Sequence, residues 1–309
     1  MFLEHPKVFE VASHFHRADN LPGRSWRKRA DLPPVEAGTD EESCKRLEEA
    51  ISAYYRRKEG RGHACKVDHW RRDNRLYWFA HPEDYPEGRL IYDEQHELKS
   101  ETQRPAFDVI FIYCQEEGSL EIYVRGEKAT VLDLQRIFGR AILGVELPDP
   151  EATGVVYELQ GLLDRRFPLP LKPEDGVEEA RVRRLRLRIM ESESANRNRL
   201  RRVTLEAGAR DDREAVYDLL DDVLAGERIP REVLMVQHAG LQLVFRPDER
   251  GRRRTLSFDV SHPDSCSLKY EPRHLVAKGL LRRWGLDVSG RAENSPPKRR
   301  RSVQRVIRT

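Results

Sequence analysis

The chain has 309 residues, 38% apolar and 35% charged, with a mean hydropathy of −0.74. That length can fill the cores of two ordinary domains, and the apolar residues fall in periodic segments, which excludes a disordered chain. The net charge is only +3, and residues 290–309 hold seven basic residues and one acidic, so residues 1–289 are slightly acidic at −3.

The basic residues are 45 Arg and 11 Lys. Genome composition can set such a ratio, so only the positions of the arginines are informative. Cys44, Cys65, Cys114 and Cys266 form no CxxC pair. Neither a zinc site nor a disulfide framework is indicated, and reduced thiols are expected. The first residues lack a basic segment followed by an apolar stretch, and no apolar run approaches a membrane span. The expectation is a cytoplasmic protein with no membrane attachment.

In chain order, residues 1–38 read as irregular, with a basic aromatic cluster at Arg24, Trp26, Arg27, Lys28 and Arg29. Thr39 followed by Asp40, Glu41 and Glu42 matches a capping box. Cys44, Leu47, Ile51, Tyr54 and Tyr55 then form one helical stripe that ends near Gly60. Residues 66–81 change to a period of two and fold back about Asp73 and Asn74, which places Trp70 opposite Tyr77 and His69 opposite Trp78. A short strand at 89–92 is followed by polar sequence, a hairpin of strands 107–114 and 120–124, and a helix with Leu132, Leu134, Ile137, Phe138 and Ile142 that ends near Gly144. Residues 155–163 read as a short helix, and Pro168, Pro170 and Pro173 mark a boundary.

The second half opens with alternation: Arg184, Arg186 and Arg188 interleave with Leu185, Leu187 and Ile189. Such alternation is a strand signal that puts a guanidinium row on one face. The strand at 199–206 repeats it, with Val203 and Leu205 against Arg202, Thr204 and Glu206. A helix is expected at 212–225, with Ala215, Val216, Leu219, Leu220 and Val223 buried and Gly226 as its stop. Strands at 233–238, 241–246 and 255–260 precede a last helix carrying Leu275, Val276, Leu280 and Leu281.

These elements give an α+β fold of antiparallel sheets built from ββα-like units, with helices packed on one sheet face. The division expected is an irregular segment at 1–38, α+β domains at 39–166 and 174–289, and a basic tail at 290–309.

No catalytic signature stands out, because phosphate loops, HExxH and GxSxG are all absent. No catalytic residue, metal site or cofactor is expected. The candidate nucleic-acid-binding residues are Arg184, Arg186, Arg188 and Arg202, joined by Lys298, Arg299, Arg300, Arg301 and Arg305 of the tail. The competing reading of the arginine row is a solvated face neutralised by Glu191, Glu193 and Glu206, or docked on the acidic helix with Asp211, Asp212, Glu214, Asp218, Asp221 and Asp222. Trp70, Tyr77 and Trp78 among arginines could stack bases, although aromatic residues in strands are commonly core.

The function expected is non-catalytic nucleic-acid binding. The alternatives are an adaptor subunit with a protein partner or a second copy of itself, and a metal-dependent nuclease or other hydrolase using Asp108 and Glu121. For the nuclease, Tyr123 stands where such sites place a lysine. Ser261, His262, Asp264, Ser265 and Cys266 crowd nucleophiles near an imidazole, but a turn explains them without chemistry.

Overall fold

A computed structural model describes residues 6–149, 154–190, 201–208, 212, 214–248 and 250–289, with the side chains of residues 6, 7 and 24 excepted. Its elements are α1 (Pro6–Asn20), β1 (Trp26–Arg29), α2 (Glu41–Glu59), β2 (Cys65–Arg72), β3 (Arg75–Pro82), β4 (Glu87–Tyr92), β5 (Leu98–Gln103), β6 (Val109–Cys114), β7 (Ser119–Tyr123) and α3 (Lys128–Phe138). Then follow β8 (Val177–Ile189), β9 (Arg202–Glu206), α4 (Ala215–Glu227), β10 (Leu234–Phe245), β11 (Thr255–Ser261), β12 (Ser265–Cys266) and α5 (Pro272–Arg283). The fold is α+β with antiparallel sheets. Two sheets have five strands, in the orders β1-β7-β6-β3-β2 and β12-β11-β10-β8-β9, and β4 pairs with β5 separately.

The helix α2 ends at Gly60 as expected, at φ +69°, but its cap is Asp40 and not the Thr39 of a capping box: Asp40 accepts a hydrogen bond from the Ser43 N–H at 2.8 Å, and Glu41 and Glu42 occupy the positive end. Its buried stripe of Leu47, Ile51 and Tyr55 lies on the first sheet with Trp78, Phe111, Leu120 and Phe138 of α3. The hairpin β2–β3 turns at Asp73, which takes φ +56°, and its register pairs Trp70 with Tyr77 and His69 with Trp78.

The N-terminal segment is more regular than its sequence suggests. Val11, His14, Phe15 and Ala18 lie on one stripe of α1, and a histidine in that stripe hides the helical period. Phe15 and Ala18 pack with Tyr77, Phe79, Ile110 and Tyr123 on the first sheet's other face. This sheet is therefore covered on both sides, not on one. The basic cluster after α1 is β1, which pairs with β7 and buries Trp26, Lys28 and Arg29.

In the second sheet, Leu185, Leu187 and Ile189 pack with Val216, Tyr217 and Leu220 of α4 and with Ala277, Leu280 and Leu281 of α5. Residues 155–163 form only a 3-10 turn at Gln160–Leu163, and Val156, Tyr157 and Leu162 join this same core. The two strands expected at 233–238 and 241–246 are the single strand β10 (Leu234–Phe245), because Ala239 and Gly240 stay in the ladder. A Cβ at Gly240 would meet Arg184 Cβ at 3.0 Å and Asp259 Oδ1 at 3.3 Å, so the glycine makes room for side chains crossing it. In α4 the chain runs through Gly226 and stops at Arg228 in the left-handed region, while Leu219 is 40% exposed. No helix among the described residues is long and apolar enough to cross a membrane.

Candidate functional site

The polar face of the second sheet follows from strand register. Arg184 lies opposite Glu206 and Gly240, Arg186 opposite Thr204 and His238, and Arg188 opposite Arg202 and Met235. Beyond β10 the face continues through Ser257, Asp259 and Ser261 of β11. Because side chains alternate, burying Leu185, Leu187 and Ile189 under α4 and α5 forces the arginines to the opposite side.

Arg184 is the neutralised member of the row. It donates to Glu206 at 2.6 Å and lies 3.7 Å from Asp259. The Arg184 hydrogen bond holds the Glu206 carboxyl below its usual range, and the His238 contact does the same for Asp259. His238 reaches Asp259 at 3.2 Å through Nε2 and Ser261 Oγ at 2.9 Å through Nδ1. A depression of about 330 Å³ opens here, lined by Arg183, Arg184, Glu206, Gly240, Gln242 and Asp259.

Arg186, Arg188 and Arg202 are exposed and enter no ion pair among the described residues. Glu191, Glu193, Asp211 and the tail residues Lys298, Arg299, Arg300, Arg301 and Arg305 lie outside those residues. The acidic helix does not cover the row. It packs on the opposite, apolar side, where Arg165 takes Asp218 at 2.6 Å and Asp221 at 3.0 Å, and Arg231 pairs with Asp221.

The other candidates are not assembled in this way. Tyr77 is 2% exposed and Trp78 fully buried, in the cores on opposite faces of the first sheet, so they offer no stacking platform; Trp70 packs partly buried beside Tyr77. Asp108 and Glu121 share a sheet face but stand about 13 Å apart along the strands, at about 3.3 Å per residue. Asp108 meets Arg17 and His81, whereas Glu121 is buried against Tyr270 and Lys278. In the turn after β11, His262 Nδ1 faces the Tyr157 carbonyl at 3.1 Å rather than a hydroxyl or thiol.

His69 Nδ1 lies 3.6 Å from Cys44 Sγ near the start of α2, beside a hollow of about 590 Å³. Burial, then Glu48 and Asp40, push this thiol up, the reverse of what a nucleophile needs. All four cysteines are free. One set of side chains among the described residues has the spacing to hold a metal ion, namely His14, Asp68 and His81 on the first sheet and α1.

The sequence reading found the arginines but missed His238, Asp259 and Ser261, which complete the face. A signal existed in the alternation of Ser257, Asp259 and Ser261, but an isolated strand does not reveal which neighbours it meets. In comparisons with known proteins, no family model and no curated protein sequence matches the chain.

Proposed function

We propose that this is a non-catalytic cytoplasmic protein that binds nucleic acid across the open arginine-rich face of the second sheet, with the basic tail as a further contact. The observation that carries the reading is the register of Arg188 against Arg202. Two like charges directly opposite on an antiparallel pair repel. Neither has a carboxylate partner among the described residues. A backbone phosphate between them would relieve the repulsion and take bidentate hydrogen bonds, which guanidinium supplies better than ammonium. Arg186 extends the same row at the two-residue spacing of a strand, about 6.7 Å.

The contacts offered are to phosphate, so binding tolerates sequence and weakens with salt. Fluorescence anisotropy with labelled single-stranded RNA, single-stranded DNA and duplex DNA across a salt series tests this. The logarithm of affinity should fall linearly with the logarithm of salt, by about 0.7 to 0.9 for each phosphate contacted. Arg188→Glu with Arg202→Glu, which removes the one phosphate contact that the pair shares, should lower that slope by about 0.7 to 0.9. Ending the chain after Ser289 should lower it further. Absent or salt-independent binding overturns the proposal.

A role as an adaptor is the second reading, favoured by the β4–β5 hairpin. Leu90, Tyr92 and Leu98 are exposed there on a two-stranded sheet that, among the described residues, pairs with neither of the larger ones. Light scattering at low and high salt separates the two: a stable oligomer or complex free of nucleic acid favours the adaptor. Asp108 and Glu121, which a metal-dependent nuclease would bring to one ion, serve separate partners instead.

A further inference from the structure

The first sheet gathers three metal-binding side chains from elements distant in sequence. His14 comes from α1, Asp68 from β2 and His81 from β3. One ligand atom of each lies within 4.8 Å of the other two, and all three residues are partly buried. The centre of such a triangle is at most about 2.8 Å from each atom. Nitrogen and oxygen bonds to zinc are about 2.0 to 2.2 Å, so each side chain has to close by about 0.7 Å, which rotation about χ1 and χ2 provides.

The surroundings support a cation. Asp108 Oδ1, buried and without a well-aligned hydrogen bond, lies 3.2 Å from His81 Nδ1. Asp108 Oδ2 in turn accepts from Arg17 Nε at 2.8 Å. A carboxylate holding one ring nitrogen of a histidine leaves the other nitrogen to the metal, the usual outer support of such ligands. With neutral imidazoles, the charges of Asp68, Asp108 and Arg17 sum to −1, which favours a positive ion. The His14 and His81 rings lie 5.6 Å apart at 29°, and the His14 ring also packs on Phe79 at 4.9 Å, so its orientation is set by neighbours rather than by solvent.

We propose that His14, Asp68 and His81 form a binding site for one divalent transition cation of the zinc class. Two imidazoles with one carboxylate suit zinc, cobalt, nickel or ferrous iron, whereas magnesium and calcium take oxygen ligands. Three protein ligands leave at least one position for water, unlike the closed four-ligand sites that serve structure alone. The ion also joins α1 to the sheet. The site lies on the first sheet and does not depend on the nucleic-acid reading.

Isothermal titration of the full chain with zinc, and absorption titration with cobalt, test the assignment. One equivalent should bind with a Kd below about 10 μM, unaffected by millimolar magnesium. His81→Ala and Asp68→Asn should each weaken binding by at least about tenfold, and Asp108→Asn by about 10- to 100-fold. His14→Gln, on a peripheral helix, provides the same test if a strand variant fails to fold, and His96→Ala in the β4–β5 turn should leave affinity unchanged. Zinc should raise the melting temperature of the parent protein and not that of His14→Gln. No saturable binding up to about 100 μM of either metal, or binding that survives His14→Gln, overturns the proposal.

Discussion

Two strands of this protein are rich in basic residues, and they meet opposite fates. In β1 (Trp-Arg-Lys-Arg), Lys28 and Arg29 are buried: Lys28 Nζ lies 3.4 Å from Asp287 and 3.9 Å from Glu117, and Arg29 forks onto Asp31 and donates to the Pro148 carbonyl at 2.8 Å. In β8, Arg186 and Arg188 stay in solvent. The difference lies in the neighbours: Asp287, after α5, and Glu117, in the turn between β6 and β7, close on Lys28, whereas Arg186 and Arg188 of β8 have no ion-pair partner among the described residues. A buried cation must be paired because losing its hydration costs several kcal/mol, whereas an exposed one stays available to a ligand. Basic residues therefore indicate a binding surface only after burial is known.

The largest contrast should come from cutting each region at one residue. Glu121 is buried between Tyr270, Lys278 and Lys28; burial alone would push its carboxyl up, but the charges of Lys278 and Lys28 outweigh that and hold it below the usual range. Glu121→Ala leaves the Lys278 ammonium without its carboxylate and should cost about 3–5 kcal/mol in urea unfolding. A loss below about 1 kcal/mol would show that the junction is hydrated, and the contrast would fail.

Acid should expose the same difference. Burial raises the Glu117 carboxyl, yet the hydrogen bond from Arg282 and the charges of Arg75 and Lys28 bring it down to about 2. Its folded value lies below its unfolded value near 4.5. The stability it contributes, of order 3 kcal/mol, is thus present above pH ~4.5 and lost as pH falls toward 2. Glu117→Gln should flatten the acid limb of the stability curve between those values. An unchanged limb would assign acid sensitivity to other carboxylates.

The smallest effect on stability belongs to the exposed row. Arg186→Gln and Arg188→Gln should each change unfolding free energy by less than about 0.5 kcal/mol while weakening nucleic-acid binding. If instead they unfold the protein, the row is structural and the comparison with β1 collapses.

Much of this architecture was legible in the chain. The α2 stripe, the Asp73 turn and the 184–189 alternation are local patterns, and each formed as its period required. What escaped had a local signal that pointed elsewhere. The α1 stripe contains His14, the strand β10 contains Gly240, and β5 (Leu-Lys-Ser-Glu-Thr-Gln) has no apolar alternation, its partner β4 being its only hydrogen-bonded neighbour among the described strands. The metal-binding set was illegible for another reason. His14, Asp68 and His81 are separated by 54 and 13 positions, and only the crossing of α1 over the β2–β3 hairpin brings them together.

The sequence by itself determined that residues 184–188 present a row of guanidinium groups on one face of a strand, because side-chain alternation is a property of the extended backbone. Tertiary structure alone decided that this face stays open while the Lys28 face is closed. Exposure depends on which other element buries its apolar side against the sheet, and α4 and α5 took the leucine side of β8 because covering Leu185 and Leu187 removes apolar surface from water.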